Sequence, residues 1–329
     1  MTRRLGSRGP EVSALGVGCW AIGGPWRISD QDAGWGAVDD AESERALRAA
    51  MDDGVTFFDT AANYGAGHSE LVLGRAVAGR RDDVVLATKF GYRVEEATRT
   101  VHGPDVSPAA IRSSCHDSLR RLGTDRIDVF WFHVGDHPVE QADDVLAVLE
   151  QLVDDGLVRG YGWSTDDPER AGRFAAGPHC LAVQHQFNLF QDNPAMLTLC
   201  ERAGLASVNR GPLAMGLLAG TYDGTTQFPP GDLRRQNLDW MGYFTDGRPD
   251  PGWLARLDAV RDILTSDGRS VAQGALAWIW ARSPATIPIP GVRTVAQARA
   301  NAGALSFGPL SPEHLAEIAS LTSAPGPGG

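Results

Sequence analysis

Apolar and polar positions alternate along this chain in a repeating order, with short apolar runs separated by longer amphipathic stretches. The run from Val84 to Ala87 predicts a buried strand, and the stretch from Pro108 to Leu122 predicts a helix. Between Val145 and Val153 the apolar residues return at three- and four-residue steps, the period of a helix with one buried face. The next run, Tyr161 to Ser164, returns to strand. This order of strand and helix is typical of a parallel α/β fold.

Eight runs have the length and composition of parallel strands. They lie near residues 15–19, 57–59, 84–89, 127–133, 161–164, 182–186, 205–209 and 286–288. Several helices are predicted to begin at a capping side chain followed by proline, at Ser107, Asp167 and Ser311. Eight strand–helix units predict one closed (β/α)8 TIM barrel, as a single domain over residues 1–329, with an amino-terminal β-hairpin before the first barrel strand.

Two segments depart from this pattern. Residues 219–252 are rich in Gly, Pro, Asp and aromatic residues and are too long for an ordinary connection, which predicts a flap over the active site after strand seven. Residues 324–329 consist mainly of Pro and Gly, which predicts a disordered tail.

Composition and charge narrow the function. With 329 residues, 43% of them apolar, the chain can bury one large core. A formal net charge of -11 disfavours nucleic acid or an anionic membrane as the main partner and favours a small molecule. No apolar segment follows Arg3 and Arg4, so we expect neither a signal peptide nor a membrane span, and a cytoplasmic location. The cysteines have no Cys-x-x-Cys spacing and are predicted to be buried reduced thiols: Cys19, Cys115, Cys180 and Cys200.

The segment from Gly16 to Ala21 matches the glycine fingerprint of dinucleotide-binding sheets, and Asp39 and Asp40 follow at about the acidic spacing. In that fold a helix must begin directly after the glycines, so that its amino terminus faces the pyrophosphate. Here residues 23–26, Gly-Gly-Pro-Trp, start no helix. The sequence therefore disfavours a doubly wound Rossmann domain.

A second alternative is a metal-dependent barrel hydrolase, with His133 and His137 as ligands. A metal needs three or four convergent donors, and no further ligand cluster accompanies these two histidines. We therefore expect no metal, with His133 in a non-metal role and His137 solvated. The remaining histidines are expected in polar loops or on helix surfaces, among them His102, His116 and His179.

Four polar residues each lie at or just past the end of an apolar run, where a barrel places its active site: Asp59, Tyr64, Lys89 and His133. A tyrosine can protonate a carbonyl oxygen if a nearby ammonium stabilises its phenolate, and Lys89 would supply that charge. Asp59 would pair with Lys89, and His133 would hydrogen-bond the substrate oxygen. Taken singly, these residues could be a cap, a loop aromatic or a solvated strand end. Together they indicate proton delivery to a carbonyl.

From Leu15 to about Leu305 the chain resembles the aldo-keto reductase superfamily, in its bacterial, potassium-channel-beta-like branch. The resemblance rests on three segments: Asp59 to Gly65 with Ser69-Glu70 after it, Ala87 to Gly91, and Ile127-Asp128 leading to His133. It implies that the four polar residues form the family's catalytic tetrad. It further implies reduction of a small-molecule aldehyde or ketone with NADP(H).

The resemblance also implies a binding site for the cofactor. Ser164, Thr165 and Gln184 match the positions that hold the carboxamide, although Thr165 replaces a commoner asparagine. Arg210 occupies a position where many relatives stack an aromatic ring on the nicotinamide, and its charge would favour the reduced, neutral form. Arg293 would meet the 2'-phosphate, or could be a solvated residue at a helix start. The complete implied set is Gly18, Cys19, Trp20, Ser164, Thr165, Gln184, Arg210, Gly211, Pro212, Leu213, Gly216, Gly291, Arg293, Gln297 and Asn301.

Trp20, Trp26 and Trp35 are candidates for an apolar substrate pocket, or they merely pack against loops at the barrel rim. The physiological carbonyl stays open among sugar aldehydes, metabolite ketones and sugar-nucleotide intermediates. A homo-oligomer is left open as well. The main alternative function is a redox-sensing regulatory subunit, since the potassium-channel beta proteins share this barrel.

Overall fold

The computed structural model describes residues 1–322, and the predicted disordered tail at 324–329 lies outside them. The strands, in chain order, are β1 (Thr2–Arg4), β2 (Glu11–Ser13), β3 (Gly16–Gly18), β4 (Arg27–Ile28), β5 (Gln31–Asp32), β6 (Phe57–Asp59), β7 (Val85–Phe90), β8 (Tyr92–Glu95), β9 (Thr100–Pro104), β10 (Val129–Phe132), β11 (Tyr161–Ser164), β12 (Cys180–Gln186), β13 (Ala206–Arg210), β14 (Phe244–Thr245), β15 (Arg248–Pro249) and β16 (Thr286–Pro288). The helices are α1 (Asp40–Asp52), α2 (His68–Val77), α3 (Pro108–Leu122), α4 (Ala142–Asp154), α5 (Pro168–Ala175), α6 (Pro194–Ala203), α7 (Pro251–Leu264), α8 (Val271–Arg282), α9 (Val295–Gly303) and α10 (Pro312–Thr322).

One eight-stranded parallel sheet forms the barrel, in the order β16-β13-β12-β11-β10-β7-β6-β3. Its two edges meet where the backbone nitrogen of Gly18 donates to the carbonyl of Pro290 at 3.0 Å. A side chain at Gly18 would prevent this contact, because a Cβ there would lie 2.7 Å from the Ile289 carbonyl oxygen. The eight strands coincide with the eight predicted runs, so the predicted α/β TIM barrel is confirmed.

Apolar side chains fill the barrel interior towards the amino-terminal ends of the strands. The predicted hairpin β1–β2 lies at that end, and Leu5 and Val12 from its region join the interior cluster around Phe57, Val129 and Trp131. The interior at that end is therefore a packed core. The polar residues that end β6, β7 and β12 lie at the opposite end, where barrel enzymes place their chemistry.

The helices begin where their capping residues predict. The side chain of Ser107 accepts from the Ala110 backbone nitrogen at the start of α3, and the side chain of Asp167 caps α5 in the same way. Helix α3 spans 108–122 as predicted. Val145, Val148, Leu149 and Leu152 lie on the buried face of α4. No helix within residues 1–322 has the length and apolar character needed to span a membrane.

A small sheet with the order β5-β4-β9-β8 lies outside the barrel, and the sequence did not predict it. Its strands are short and largely exposed, so they carry little of the apolar alternation that marks a strand. Val101 of β9 packs with Trp26 and Ala66. One expectation is corrected, because His102 lies on β9 and not in a loop.

The segment predicted as a flap, residues 219–252, is largely a packed insertion. It contains short 3-10 helices and the hairpin β14–β15, and helix α7 already begins at Pro251. Aromatic residues of the segment pack against one another, with the Phe228 and Phe244 rings 5.1 Å apart, and both rings are buried in the main apolar core. These two rings therefore anchor the insertion to the barrel domain.

Candidate active site

The structure brings Asp59, Tyr64, Lys89 and His133 together at the carboxyl-terminal end of the barrel. Asp59 ends β6, Lys89 is the fifth residue of β7, and His133 directly follows β10. The Nζ atom of Lys89 forms a short ion pair with the Asp59 carboxylate and lies 4.6 Å from the centre of the Tyr64 ring. The rings of Tyr64 and His133 meet edge to face at 6.0 Å.

Tyr64 is held by a tight turn between β6 and α2. Gly65 has a φ of +65°, and a Cβ there would lie 2.1 Å from the carbonyl oxygen of Gly23. The close approach of the two glycines packs this turn against the loop after β3. Ser69 secures the same contact, because its hydroxyl donates to the Cys19 carbonyl at 2.7 Å and its backbone nitrogen donates to the Tyr64 carbonyl at 3.2 Å.

Asp59 is fixed by three side-chain donors. Lys89 occupies Oδ1, whereas the indole of Trp131 and the amide of Gln184 each donate to Oδ2 at 2.8 Å. Ser164 extends the chain by donating to the Gln184 carbonyl oxygen at 3.2 Å. The sequence did not predict the role of Trp131, although the extended chain from Trp131 on β10 to His133 two residues later places both side chains on the inner face.

These contacts influence the protonation of the Lys89, Asp59 and Tyr64 side chains. Burial disfavours the Lys89 ammonium, but Asp59 and Tyr64 outweigh that effect, so the pKa of Lys89 is raised and the side chain stays protonated at neutral pH. Burial raises the pKa of Asp59, and hydrogen bonds from Lys89, Gln184 and Trp131 oppose this rise. Burial also raises the pKa of the Tyr64 phenol, while the Lys89 ammonium acts in the opposite direction.

His133 carries no charge at neutral pH. Burial, together with the positive charges of Lys89 and Arg210, holds the pKa of its imidazole well below the ordinary value. Tyr92 packs edge-on against the imidazole ring at 5.9 Å, on β8. A neutral imidazole can donate one hydrogen bond to a substrate oxygen.

The expectation that His137 is solvated is wrong. Its side chain is buried, with its ring 5.1 Å from that of Phe132, and no partner within residues 1–322 bonds its Nε2 atom. Among those residues there is no group of three or more His, Cys, Asp or Glu side chains that could hold a metal ion.

A cavity of about 680 Å³ opens above the tetrad, and Asp59, Tyr64 and His133 line its base. Most of the residues that the sequence assigns to the cofactor line the same cavity: Gly18, Cys19, Trp20, Ser164, Gln184, Arg210, Gly211, Pro212, Leu213, Gly216, Gly291, Arg293 and Gln297.

Two of the assigned residues lie outside this lining. Thr165 is buried, and its hydroxyl donates to the carbonyl of Gly135 at 2.8 Å. Asn301 is buried on α9. The cofactor contacts that the resemblance implies for these two residues stay predictions.

Arg210 is paired with a carboxylate. Its Nη2 atom contacts Asp166, and its Nη1 atom donates to the Gln186 side chain at 2.9 Å. The Asp166 carboxylate opposes the guanidinium charge that is predicted to favour the reduced nicotinamide.

Arg293 reaches across the cavity to the loop after β5. Its guanidinium donates to the carbonyls of Trp35 and Ala37, the former at 3.2 Å. Its backbone nitrogen donates to the Gln297 side chain at 2.8 Å. Arg293 is thus not a freely solvated side chain, and any phosphate that it binds would share the guanidinium with this loop.

Tryptophans surround the mouth of the cavity. Trp20 stacks on Tyr64 with ring centres 5.8 Å apart and meets Trp35 edge to face at 5.4 Å. Trp26 and Trp240 also line the cavity, and Trp240 belongs to the insertion after β13. The three tryptophans that the sequence proposed lie together, and Trp240 is an addition that only the packed insertion reveals.

Arg234 also belongs to the insertion and was not predicted. It forms two hydrogen bonds with the Asp232 carboxylate, at 2.9 and 2.6 Å, and it donates to the Tyr222 hydroxyl at 2.6 Å. Its guanidinium lies 3.8 Å from the centre of the Phe228 ring. The positive charge at this side of the cavity is therefore compensated.

Comparisons with known proteins all point to one family. The model of the Aldo/keto reductase family matches residues 14–323. Aldo-keto reductase YhdN of Bacillus subtilis (strain 168) is 31% identical over 304 residues, which are 90% of this chain and 86% of that protein. Aldo-keto reductase yakc [NADP(+)] of Schizosaccharomyces pombe is 30% identical, over 92% and 86% of the two chains. The structure of an aldo/keto reductase from Klebsiella pneumoniae in complex with NADP and acetate superposes with a TM-score of 0.69 at 29% identity, over 98% and 96% of the two chains.

Proposed function

The chain belongs to the aldo/keto reductase family, and we propose from this premise that Tyr64 protonates the carbonyl oxygen of an aldehyde or ketone during its reduction to an alcohol. As a member of the family the chain is an NADP(H)-dependent oxidoreductase. The observation that carries the proposal is the buried pair of Lys89 and Asp59 directly beside the Tyr64 ring.

The cavity suits an extended dinucleotide. It is continuous from Tyr64 and His133 at the base to Arg293 and Gln297 at the far end. Ser164 and Gln184 supply polar groups beside the tetrad, where they could hold a carboxamide. Reduced nicotinamide supplies the hydride when it is bound.

The residues of the chain deliver the proton. Tyr64 gives its hydroxyl proton to the carbonyl oxygen as that oxygen gains negative charge, and Lys89 stabilises the phenolate that remains. The Asp59 carboxylate keeps Lys89 charged. Lys89 also donates to the Thr60 carbonyl at 2.7 Å, so its ammonium group is held from two sides. Neutral His133 donates a hydrogen bond that orients the substrate oxygen.

The side chains at the mouth of the cavity favour neutral carbonyl compounds with an apolar or planar body. Trp20 and Trp35 offer ring surfaces next to Tyr64, and the nearby guanidinium of Arg234 is already neutralised by Asp232. A phosphorylated sugar would therefore find no uncompensated cation among these rim groups.

A panel of carbonyl compounds with NADPH tests the function. We expect turnover of neutral aldehydes, undiminished by a metal chelator. Tight NADPH binding without turnover of any compound would instead support the redox-sensing regulatory subunit, which shares the barrel and the cofactor. Loss of activity with the chelator would support a metal-dependent enzyme.

A further inference from the structure

One ion pair at the wall of the cavity, between Asp166 and Arg210, has no part in the proposed proton delivery. Asp166 follows β11 by two residues and Arg210 ends β13, so the pair bridges the carboxyl-terminal ends of the two strands that flank β12. The side chains of both residues are partly exposed, Arg210 to 36% and Asp166 to 48%. Ion pairs with this degree of exposure contribute little to the free energy of unfolding. Stability alone therefore does not explain why neighbouring residues hold the pair of Asp166 and Arg210 in place.

Gln186 holds the pair together from β12. Its backbone nitrogen donates to Asp166 Oδ1 at 2.6 Å, while its side-chain oxygen accepts from Arg210 at 2.9 Å. Gly211 makes room for this amide, because a Cβ there would lie 2.4 Å from the Gln186 side-chain nitrogen. Asn193 donates to the Asp166 carbonyl at 3.1 Å and fixes the loop. The orientation of the carboxylate is thus set by two donors, the Gln186 backbone nitrogen and Arg210.

Arg210 acts electrostatically on the catalytic groups. Its charge contributes to lowering the pKa of His133 and works in the lowering direction on Tyr64. It lines the same cavity as Ser164 and Gln184, the groups suited to the nicotinamide carboxamide. With the carboxamide bound by Ser164 and Gln184, the charge of Arg210 would lie near the ring that gains or loses one positive charge in the reaction.

We propose that Asp166 balances the charge of Arg210 beside the nicotinamide and thereby sets the relative affinity for NADP+ and NADPH. The inference rests on the proposed function, because it requires a nicotinamide in this cavity. The oxidised ring is a cation and the reduced ring is neutral, so an uncompensated guanidinium repels only the oxidised form. With Asp166 in place the pair is close to neutral. Asp166 is therefore a positioning and charge-balancing residue.

The test compares the dissociation constants of the two cofactor forms. NADPH is titrated by fluorescence and NADP+ by displacement of NADPH, for the parent chain and for Asp166→Asn. We expect the ratio of the NADP+ constant to the NADPH constant to rise roughly three- to tenfold in Asp166→Asn, a size set by two charges several ångströms apart in a partly hydrated site. Asp166→Glu should restore the parent ratio.

Asp143→Asn is the matched control, because Asp143 forms a similarly exposed pair with Arg173 outside the cavity lining. It should leave the ratio unchanged. In Asp166→Asn, a further Arg210→Gln change should return the ratio towards the parent value. Equal weakening of both forms in Asp166→Asn, or an unchanged ratio, would overturn the inference while leaving the proposed function intact. Failure of the parent chain to bind either form would overturn both.

Discussion

The floor and the rim of the cavity are held in different ways. The cavity floor consists of Asp59, Tyr64, Lys89, Trp131, His133 and Gln184. Four of these residues lie on barrel strands, and Lys89, Trp131 and Gln184 hold the Asp59 carboxylate. The cavity rim consists of Trp20, Trp35, Arg234, Trp240 and Arg293, which lie outside the barrel strands and contact aromatic rings, backbone carbonyls or a neighbouring carboxylate. Strand register positions the floor, whereas the rim can differ without disturbing the barrel.

This contrast separates two kinds of effect. Changes in the floor should lower the rate of the chemical step, while changes in the rim should alter which cofactor or substrate binds. The following substitutions test that separation.

Lys89→Met should have the largest effect. It removes the cation that stabilises the Tyr64 phenolate, and we expect kcat for carbonyl reduction to fall by at least about a hundredfold. It also leaves the Asp59 carboxylate buried without its ion-pair partner, so the free energy of unfolding should fall. Steady-state kinetics and denaturant unfolding measure the two effects. The double variant with Asp59→Asn should recover stability over Lys89→Met alone, and a failure to do so would contradict the ion pair.

Arg293→Ala tests the rim. If Arg293 binds the 2'-phosphate, its loss should weaken NADPH and spare NADH, since a charge-assisted contact is worth about 1.5 to 3 kcal/mol. The ratio of kcat/KM for the two cofactors should then move by about one to two decades. Arg299→Ala is the control, because Arg299 is exposed on the same segment and does not line the cavity. An unchanged ratio in Arg293→Ala would limit that residue to holding the loop at Trp35 and Ala37.

Trp131→Phe changes the floor with a smaller expected effect on kcat than Lys89→Met. It removes one of the donors that oppose the rise of the Asp59 pKa, so the carboxylate attracts the proton shared with Lys89 more strongly. Lys89 then stabilises the phenolate less and the pKa of Tyr64 rises. We expect kcat to fall about three- to tenfold, less than the full effect of a hydrogen bond to a charged group, because Trp131 acts on Tyr64 only through Asp59 and Lys89. Because reduction needs protonated Tyr64, the alkaline limb of kcat/KM should move to higher pH.

Trp163→Phe is the matched control for Trp131→Phe. Both indoles are fully buried and each donates one hydrogen bond, but Trp163 donates to the Val134 carbonyl and not to Asp59. It should leave the alkaline limb in place. The same movement of the limb in both variants would show a general loosening of the barrel.

The smallest effect concerns His133, whose pKa lies well below its ordinary value of about 6.5. The imidazole should therefore stay neutral as the pH falls through 6.5, and kcat/KM should show no acid limb there. A limb near that pH in the parent chain that disappears in His133→Gln would contradict the neutral imidazole.

The sequence predicts the floor better than the rim for a physical reason. Asp59, Lys89 and His133 each lie at the end of an apolar run, and parallel strand ends must meet at one edge of a barrel. Trp131 was missed because an indole inside an apolar run gives no sign of its hydrogen bond. At the rim, Trp240 and Arg234 belong to an insertion whose path depends on how its aromatic residues pack into the main core. The pairing of Arg210 with Asp166 depends on loop geometry that no periodicity encodes.

The central claim is that Tyr64 is the proton donor because it lies beside the buried pair of Lys89 and Asp59. The most direct measurement compares Tyr64→Phe with Tyr92→Phe, since both rings meet His133 edge-on at about 6 Å but only Tyr64 packs against Lys89. We predict that Tyr64→Phe lowers the single-turnover rate of carbonyl reduction at least about a hundredfold, with NADPH affinity preserved by fluorescence titration, and that Tyr92→Phe keeps most of the rate. A Tyr64→Phe variant that binds NADPH and reduces the carbonyl at a rate near that of the parent would contradict the claim.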